Sequence, residues 1–323
     1  MKQFLSVKDI PNPIDFALKS IELKADPFKD KELGKNKSLG LIFLNPSLRT
    51  RMSSQKAAMN LGLDTMVLNM DQEGWALETQ DGVIMDGTKV EHIRDAAGIM
   101  GQYCDILALR SFANLVSKEA DYRQEMLNGL IQYSGVPVVS LESALTHPLQ
   151  SLADLITILE QGKITGKAKP KITLLWAPHI KALPQAVPNS FAEWMLKSHF
   201  DLTIGAPKGF ELDPQFTKGA HYVHTKGEAI KNADFIYVKN WSSFQDYGKV
   251  GTGLSDWLLK KEDLDTMNPG AKIMHCLPVR RDLELDSALL DSPYSLTLQQ
   301  GENRIYSAQM VLKTMLLELS KKA

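Results

Sequence analysis

The chain has 323 residues, enough for about two domains at roughly 150 residues each. Its apolar fraction of 44% and charged fraction of 23% are ordinary globular values and exclude disordered and fibrous classes. Lys plus Arg number 37 against 38 Asp plus Glu, so no excess positive field exists to hold a nucleic-acid backbone or an anionic membrane.

No apolar run approaches the ~18 residues of a membrane helix. The opening Met1-Lys2-Gln3-Phe4-Leu5 soon meets Asp9 and two prolines, which predicts no secretory leader. Cys104 and Cys276 are too few for a disulfide scaffold and fit a reducing cytoplasm. In chain order, Leu39–Asn45 reads as a buried strand, Arg51–Leu63 as helix, Thr65–Asn69 as strand, and Val90–Tyr103 as helix. Strand Asp105–Leu109, helix Ala120–Gln132 and strand Val136–Ser140 follow. A connecting helix over Pro148–Glu160 leads to Gln161–Pro170, whose two Gly, three Lys and Pro suit a linker.

The second series has strands at Lys171–Leu175, Asp201–Ile204, Ala233–Val238 and Ala271–His275, with Asn189–Leu196 helical and a last helix over Arg304–Lys321. Strands spaced by helical stretches of this length argue βαβ units, hence two α/β domains with a boundary near residue 150. No repeat of 20–50 residues is present.

Asn45-Pro46-Ser47-Leu48-Arg49-Thr50-Arg51 follows a buried strand and opens a helix. A helix start with two hydroxyls and two arginines suits an anion such as phosphate, although a merely capped, solvated helix start has the same pattern. Arg110, Glu142, His147 and the His275-Cys276-Leu277-Pro278 segment also fall at predicted strand ends, where ligands bind in doubly wound sheets. Singly, His147 could be a satisfied core histidine; together these residues describe a site.

Three segments carry a resemblance. Ser47-Leu48-Arg49-Thr50-Arg51, His147-Pro148-Leu149-Gln150 and His275-Cys276-Leu277-Pro278 resemble, in order and spacing, the carbamoyl-phosphate signatures of the aspartate/ornithine carbamoyltransferase superfamily. The resemblance runs over essentially the whole chain, with Arg304 opening the final helix in Glu302-Asn303-Arg304. It implies two doubly wound parallel-sheet domains: a carbamoyl-phosphate domain over 1–148, an acceptor domain over 149–303, and a C-terminal helix over 304–323 returning to the first. It also implies a homotrimer that needs no cofactor and no metal.

One departure from the ornithine enzymes is informative. Their Asp-x-x-x-Ser-Met-Gly loop, whose Asp holds a free α-ammonium, corresponds here to Tyr237-Val238-Lys239-Asn240-Trp241-Ser242-Ser243-Phe244. A lysine repels an ammonium and attracts a carboxylate, so the acceptor's α-amine is expected to be blocked. The chain is thus similar to the N-acylornithine branch, in which Lys239 and Arg280 would hold a carboxylate of the acceptor. Trp75 resembles that branch's tryptophan, which closes the carbamoyl-phosphate pocket of a neighbouring subunit. By the same resemblance, acetyl-type enzymes carry Glu and succinyl-type enzymes Pro where this chain has Val90. An uncharged Val90 tolerates a second carboxylate, with Lys89 and Arg94 adding positive potential, so the expectation is a succinyl group, with acetyl as the alternative.

The reaction implied is carbamoyl transfer from carbamoyl phosphate to the acceptor's δ-amine. Ser47, the Leu48 backbone, Arg49 and Thr50 would bind phosphate oxygens, and Thr50, Arg110, His147 and Arg304 would polarise the carbonyl. Gln150 and the backbones of Cys276 and Leu277 would hold the carbamoyl NH2 and orient the amine, while Glu142 and His179 would meet the acceptor. No side chain stands out as the proton acceptor, and the leaving phosphate can take that proton. A non-catalytic homologue is the competing class. A dinucleotide-binding oxidoreductase fails, since no Gly-x-Gly-x-x-Gly follows the first strand and Gly251-Thr252-Gly253 is not between strand and helix.

Overall fold

The computed structural model describes residues 1–165 and 169–321. The N-terminal part contributes strands β1 (Gln3–Phe4), β2 (Ser38–Phe43), β3 (Asp64–Asn69), β4 (Leu77–Glu78), β5 (Glu91–His92), β6 (Ile106–Arg110) and β7 (Val138–Glu142). Its helices are α1 (Pro13–Ala25), α2 (Arg49–Asn60), α3 (Met70–Glu73), α4 (Ile93–Tyr103), α5 (Lys118–Arg123) and α6 (Glu125–Tyr133). Helix α7 (Pro148–Thr165) leads onward to β8 (Lys171–Trp176), β9 (Asp201–Gly205), β10 (His221–Val223), β11 (Phe235–Lys239) and β12 (Lys272–Met274). Helices α8 (Ala186–Lys197), α9 (Pro214–Thr217), α10 (Lys226–Ile230), α11 (Ser287–Leu290) and α12 (Thr297–Ser320) complete the described strands and α-helices.

Two five-stranded parallel sheets result, in the orders β1-β7-β6-β2-β3 and β10-β9-β8-β11-β12, with β4 and β5 a separate pair. Helices cover both faces of such sheets, which is why β6 and β8 read as continuous apolar runs. In the first sheet the strand order reverses between β2 and β6, and in the second between β8 and β11. Crevices at such reversals, beyond the strands' carboxyl ends, are where doubly wound sheets bind ligands. The residues leaving β2, β6, β8 and β11 therefore line one cleft between the sheets.

The last helix, α12, packs on α1, α2 and α7. Buried polar pairs fix it there: Asn60 Nδ2 donates to Gln309 Oε1 at 2.8 Å, and Ser307 Oγ to the Leu149 carbonyl at 2.9 Å. Between the two halves, the Tyr122 hydroxyl donates to Asp213 at 2.9 Å and the Tyr247 hydroxyl to Asp121 at 2.8 Å. Gly248 sits at that crossing with φ +81°, and a Cβ there would stand 2.5 Å from the Leu115 carbonyl oxygen. Only glycine allows that approach.

Several boundaries differ from the sequence reading. The helix expected over Ala120–Gln132 is two, α5 and α6, broken where Gln124 adopts the left-handed region at φ +45°. Val90 is not helical; β5 follows it, and His92 caps α4 by accepting the Arg94 amide. Arg304 does not open the final helix but lies well inside α12, which begins at Thr297. The expected linker is helical through Thr165, and residues 166–168 of it lie outside the described residues. The first 37 residues, given no element by the sequence reading, hold β1 and α1, with Asn12 accepting the Asp15 amide ahead of Pro13.

Candidate active site

The cleft has a volume of about 990 Å³. Its first wall starts at the turn from β2 into α2. Ser47 Oγ accepts the Thr50 amide at 3.2 Å, which fixes the helix start in the cleft wall. Thr50 is buried, and its Oγ1 accepts from Arg110 Nη1 at 3.1 Å and from Arg304 Nη2 at 2.6 Å. One hydroxyl thereby joins the end of β6 to α12.

Arg110 is the last residue of β6, not the one after it, and Glu142 is likewise the last residue of β7. A register shift at Leu109/Arg110 brings the two opposite each other. Arg110 Nη1 then donates to Glu142 Oε2 at 2.6 Å, a buried ion pair. His147 precedes α7, with Nε2 3.4 Å from Glu142 Oε2 and 3.5 Å from Arg304 Nη2. Arg304 Nη1 donates to Gln150 Oε1 at 3.0 Å. Arg51 hydrogen-bonds Asn69 and lays its guanidinium over the Phe43 ring.

Burial and the neighbouring charges of Arg304 and Arg110 hold the His147 imidazole well below its ordinary range, so it is neutral and offers one N–H donor. Burial, reinforced by Arg110, pulls the Arg304 guanidinium down to about 10, still cationic at neutral pH. Burial also lowers Arg49 and raises Glu142, although Arg110, Arg304 and Lys239 oppose the rise in Glu142. The buried Nε atoms of Arg49, Arg110 and Arg304 have no hydrogen-bond partner among the described residues. Three crowded guanidiniums with spare donors form an anion site.

The second wall comes from β8, β11 and β12. Lys239 ends β11, nearly buried, with Nζ donating to the Asn240 carbonyl at 3.1 Å. His179 follows β8, and its Nε2 accepts from Arg280 Nε at 3.2 Å. Leu277 has φ +55°, and its amide donates to His275 Nδ1 at 2.9 Å. Burial raises the Cys276 thiol, which removes it as a thiolate nucleophile. Cys276 and Leu277 both line the cleft.

The cleft thus brings together Ser47, Leu48, Arg49, Thr50, Arg110, Glu142, His147, Gln150, His179, Lys239, Cys276, Leu277, Arg280 and Arg304. Glu142 sits against Arg110 and His147 on the first wall, with Lys239 of the second wall near enough to act on its charge. Trp75 and Val90 do not join the lining among the described residues; both are over half exposed, and Trp75 Nε1 donates to Glu91 at 3.0 Å. Lys89 and Arg94 are paired with Glu78 and Asp81, so their expected positive potential is largely neutralised within their own loop.

Sequence reasoning missed Lys181 and Glu284, which also line the cleft. The Arg280 amide donates to Glu284 Oε2 at 2.7 Å. Burial opposes ionisation of Glu284, but His275, Lys239 and that amide outweigh it and hold the carboxyl below its ordinary range. No spacing rule marks these two residues, because their loops are placed by the fold. Seven cations (Arg49, Arg51, Arg110, Lys181, Lys239, Arg280, Arg304) face two carboxylates (Glu142, Glu284), in a chain whose net charge is −1. That charge balance suits the cleft to anions.

Two doubly wound sheets with a phosphate-type cradle at one switch point and cationic side chains at the other define a two-domain α/β protein of the ligand-binding, enzyme type, with its cleft suited to anionic ligands. The carbamoyl-P binding domain of aspartate/ornithine carbamoyltransferases matches residues 2–160, and the Asp/Orn binding domain matches residues 184–315. The chain belongs to the aspartate/ornithine carbamoyltransferase family. It is 47% identical to an N-succinylornithine carbamoyltransferase of Bacteroides thetaiotaomicron over 98% of this chain and 99% of that one. It is 29% identical to an N-acetylornithine carbamoyltransferase of Xanthomonas campestris over 97% of each. Among solved structures, a glutamate-to-valine mutant of N-acetyl-L-ornithine transcarbamylase, complexed with carbamyl phosphate and N-succinyl-L-norvaline, superposes with a TM-score of 0.91 at 28% identity, covering 98% of this chain and 100% of that one.

Proposed function

We propose that the chain transfers the carbamoyl group of carbamoyl phosphate to the δ-amine of N2-succinyl-L-ornithine, giving N-succinylcitrulline and phosphate, as a cytoplasmic step of arginine biosynthesis. The observation that carries the acyl assignment is the 47% identity to the succinyl enzyme against 29% to the acetyl enzyme, each over nearly the full chain. The cleft's charge supports it. N-succinylornithine brings a second carboxylate that N-acetylornithine lacks, and a cationic cavity favours the extra anion. The uncharged Val90 is compatible with it, as is the solved complex of a glutamate-to-valine relative with an N-succinyl ligand.

In this reading the acceptor nitrogen attacks the carbamoyl carbon, the new C–N bond forms, and the C–O bond to phosphate breaks. The departing phosphate takes the proton that the nitrogen loses. Ser47, Arg49, Thr50 and the Leu48 backbone hold the phosphate oxygens. Arg110, Thr50, Arg304 and the neutral His147 donate to the carbonyl oxygen as it gains charge, and such donors act most strongly on the transition state. Gln150 and the Cys276 and Leu277 backbones hold the carbamoyl amide, and Lys239, Arg280 and His179 take the acceptor's carboxylate and amide groups. Glu142, joined to Arg110, orients that guanidinium and faces the acceptor.

We also propose a homotrimer in which Trp75 and Val90 of one subunit complete the cleft of the next. Their exposure, and the exposed Met52, Met59, Met66, Ile99 and Tyr103 of the same half, suit such an interface. The domain division proposed is 1–148, 149–296 and 297–323, with the last boundary moved from 304 to the start of α12. The test is product analysis with carbamoyl phosphate and ornithine, N-acetylornithine or N-succinylornithine. Turnover of the succinyl substrate alone is expected; turnover of free ornithine would contradict the role given to Lys239, and silence with all three would restore the non-catalytic reading.

A further inference from the structure

Asp154 lies on α7, fully buried, and the steps above do not use it. Among the described residues, no lysine or arginine forms an ion pair with it. A carboxylate in such a place is costly unless its hydrogen bonds compensate, and burial pushes it up to about 7 even though the Gln300 and Gln150 amides oppose the rise.

Both amides converge on one of its oxygens. Gln150 Nε2 donates to Asp154 Oδ1 at 2.8 Å, and Gln300 Nε2 donates to the same atom at 2.9 Å. A side-chain amide has one donor end and one acceptor end, so anchoring the donor end fixes where the acceptor points. Gln150 thus presents Oε1 to Arg304 Nη1, and Gln300 presents Oε1 to the His275 backbone N–H at 2.9 Å. Arg304 reaches on to Thr50 on the first wall, and His275 Nδ1 receives the Leu277 amide on the second. The chain of bonds is unbroken from the start of α2 to the His275–Pro278 turn.

We propose that Asp154 is a positioning residue that locks the Gln150 and Gln300 amides and so sets Arg304 and the His275–Leu277 turn against each other for carbamoyl transfer. The inference rests on the carbamoyl-transfer reading of the cleft. It assigns Asp154 no contact with substrate. What the residue supplies is one acceptor oxygen at a point where two networks meet.

Steady-state kinetics of full-length Asp154→Asn, Asp154→Ala and Gln300→Ala, each with a folding check by circular dichroism, tests it. Asparagine keeps an oxygen for both amides, so kcat is expected within about threefold of the parent. Alanine frees both amides, and a displacement of this kind costs about 100-fold in kcat. Gln300→Ala releases the His275–Leu277 turn alone and leaves Gln150 and Arg304 held, so kcat falls about tenfold, with a smaller loss of carbamoyl phosphate affinity than in Asp154→Ala. A purely structural role would lower the melting temperature without this split between variants. The proposal is overturned if Asp154→Asn is as slow as Asp154→Ala, or if Gln300→Ala has the parental kcat. Should Asp154→Ala fail to fold, the other two variants decide. If the parent carbamoylates none of the acceptors, the functional reading fails separately. The lock is then read from carbamoyl phosphate binding, which Asp154→Ala should weaken about tenfold and Asp154→Asn should not; equal affinity in all three proteins overturns it.

Discussion

The two walls of the cleft are built differently. On the first, Thr50, Arg110, Glu142, His147, Gln150 and Arg304 bond to one another as well as facing the cavity, and all are buried. On the second, the hydrogen bond of Lys239 among the described residues goes to a neighbouring carbonyl, Arg280 meets His179, and Arg280 and Lys181 are exposed. An interlocked wall is preorganised and suits a small ligand with a fixed charge pattern, such as a phosphate ester. A wall of loosely held cations suits a longer, flexible acceptor whose ordering energy is drawn from binding itself.

The contrast predicts where substitutions act. The largest effect is expected at Arg110. Arg110→Met should lower kcat by about 100- to 1000-fold, as loss of one oxyanion donor does. It should also cost roughly 3–5 kcal/mol of stability by leaving Glu142 buried and unpaired. Adding Glu142→Gln should restore part of the stability and none of the activity, as read by denaturant titration and kinetics. If the double variant recovers turnover, the first wall is not the rigid device described.

On the second wall the signature differs. Lys239→Met should raise KM for the acceptor by about 10- to 100-fold, the range of a hydrogen bond to a charged group, with carbamoyl phosphate affinity unchanged in calorimetry. A matching loss of carbamoyl phosphate affinity would erase the distinction between the walls. Smaller again, Val90→Glu should cut kcat/KM for N-succinylornithine by about tenfold while sparing N-acetylornithine, because a like charge penalises only the acceptor with the extra carboxylate.

The smallest effect concerns pH. Asp154 titrates higher folded, at about 7, than unfolded, so its favourable contribution is complete below its ordinary carboxylate range and is lost as pH rises toward 7. Asp154→Asn removes that dependence. The melting temperature of the variant relative to the parent should therefore climb between about pH 4 and pH 7 and level off above. A flat difference would mean that Asp154 is ionised in the fold throughout.

The first wall was the more legible in sequence for a physical reason. Ser47 to Arg51 is one contiguous helix start, and Arg110 and His147 leave strand ends that apolar runs reveal. The ion pair of Arg110 with Glu142 was not visible, since it depends on a register shift between β6 and β7. Asp154 and Gln300 are 146 positions apart and meet only because α12 folds back on α7. The break at Gln124 carried no glycine or proline to announce it. Trp75 and Val90 were named from resemblance alone, and in one subunit they stand outside the cleft.

The most direct test of the account is a competition assay with equal amounts of N-succinylornithine and N-acetylornithine in one tube, limiting carbamoyl phosphate, and products resolved by mass. The account predicts N-succinylcitrulline in excess by tenfold or more, about 1.4 kcal/mol of discrimination. Equal products, or an excess of N-acetylcitrulline, would contradict the assignment of the second wall to a dicarboxylate acceptor.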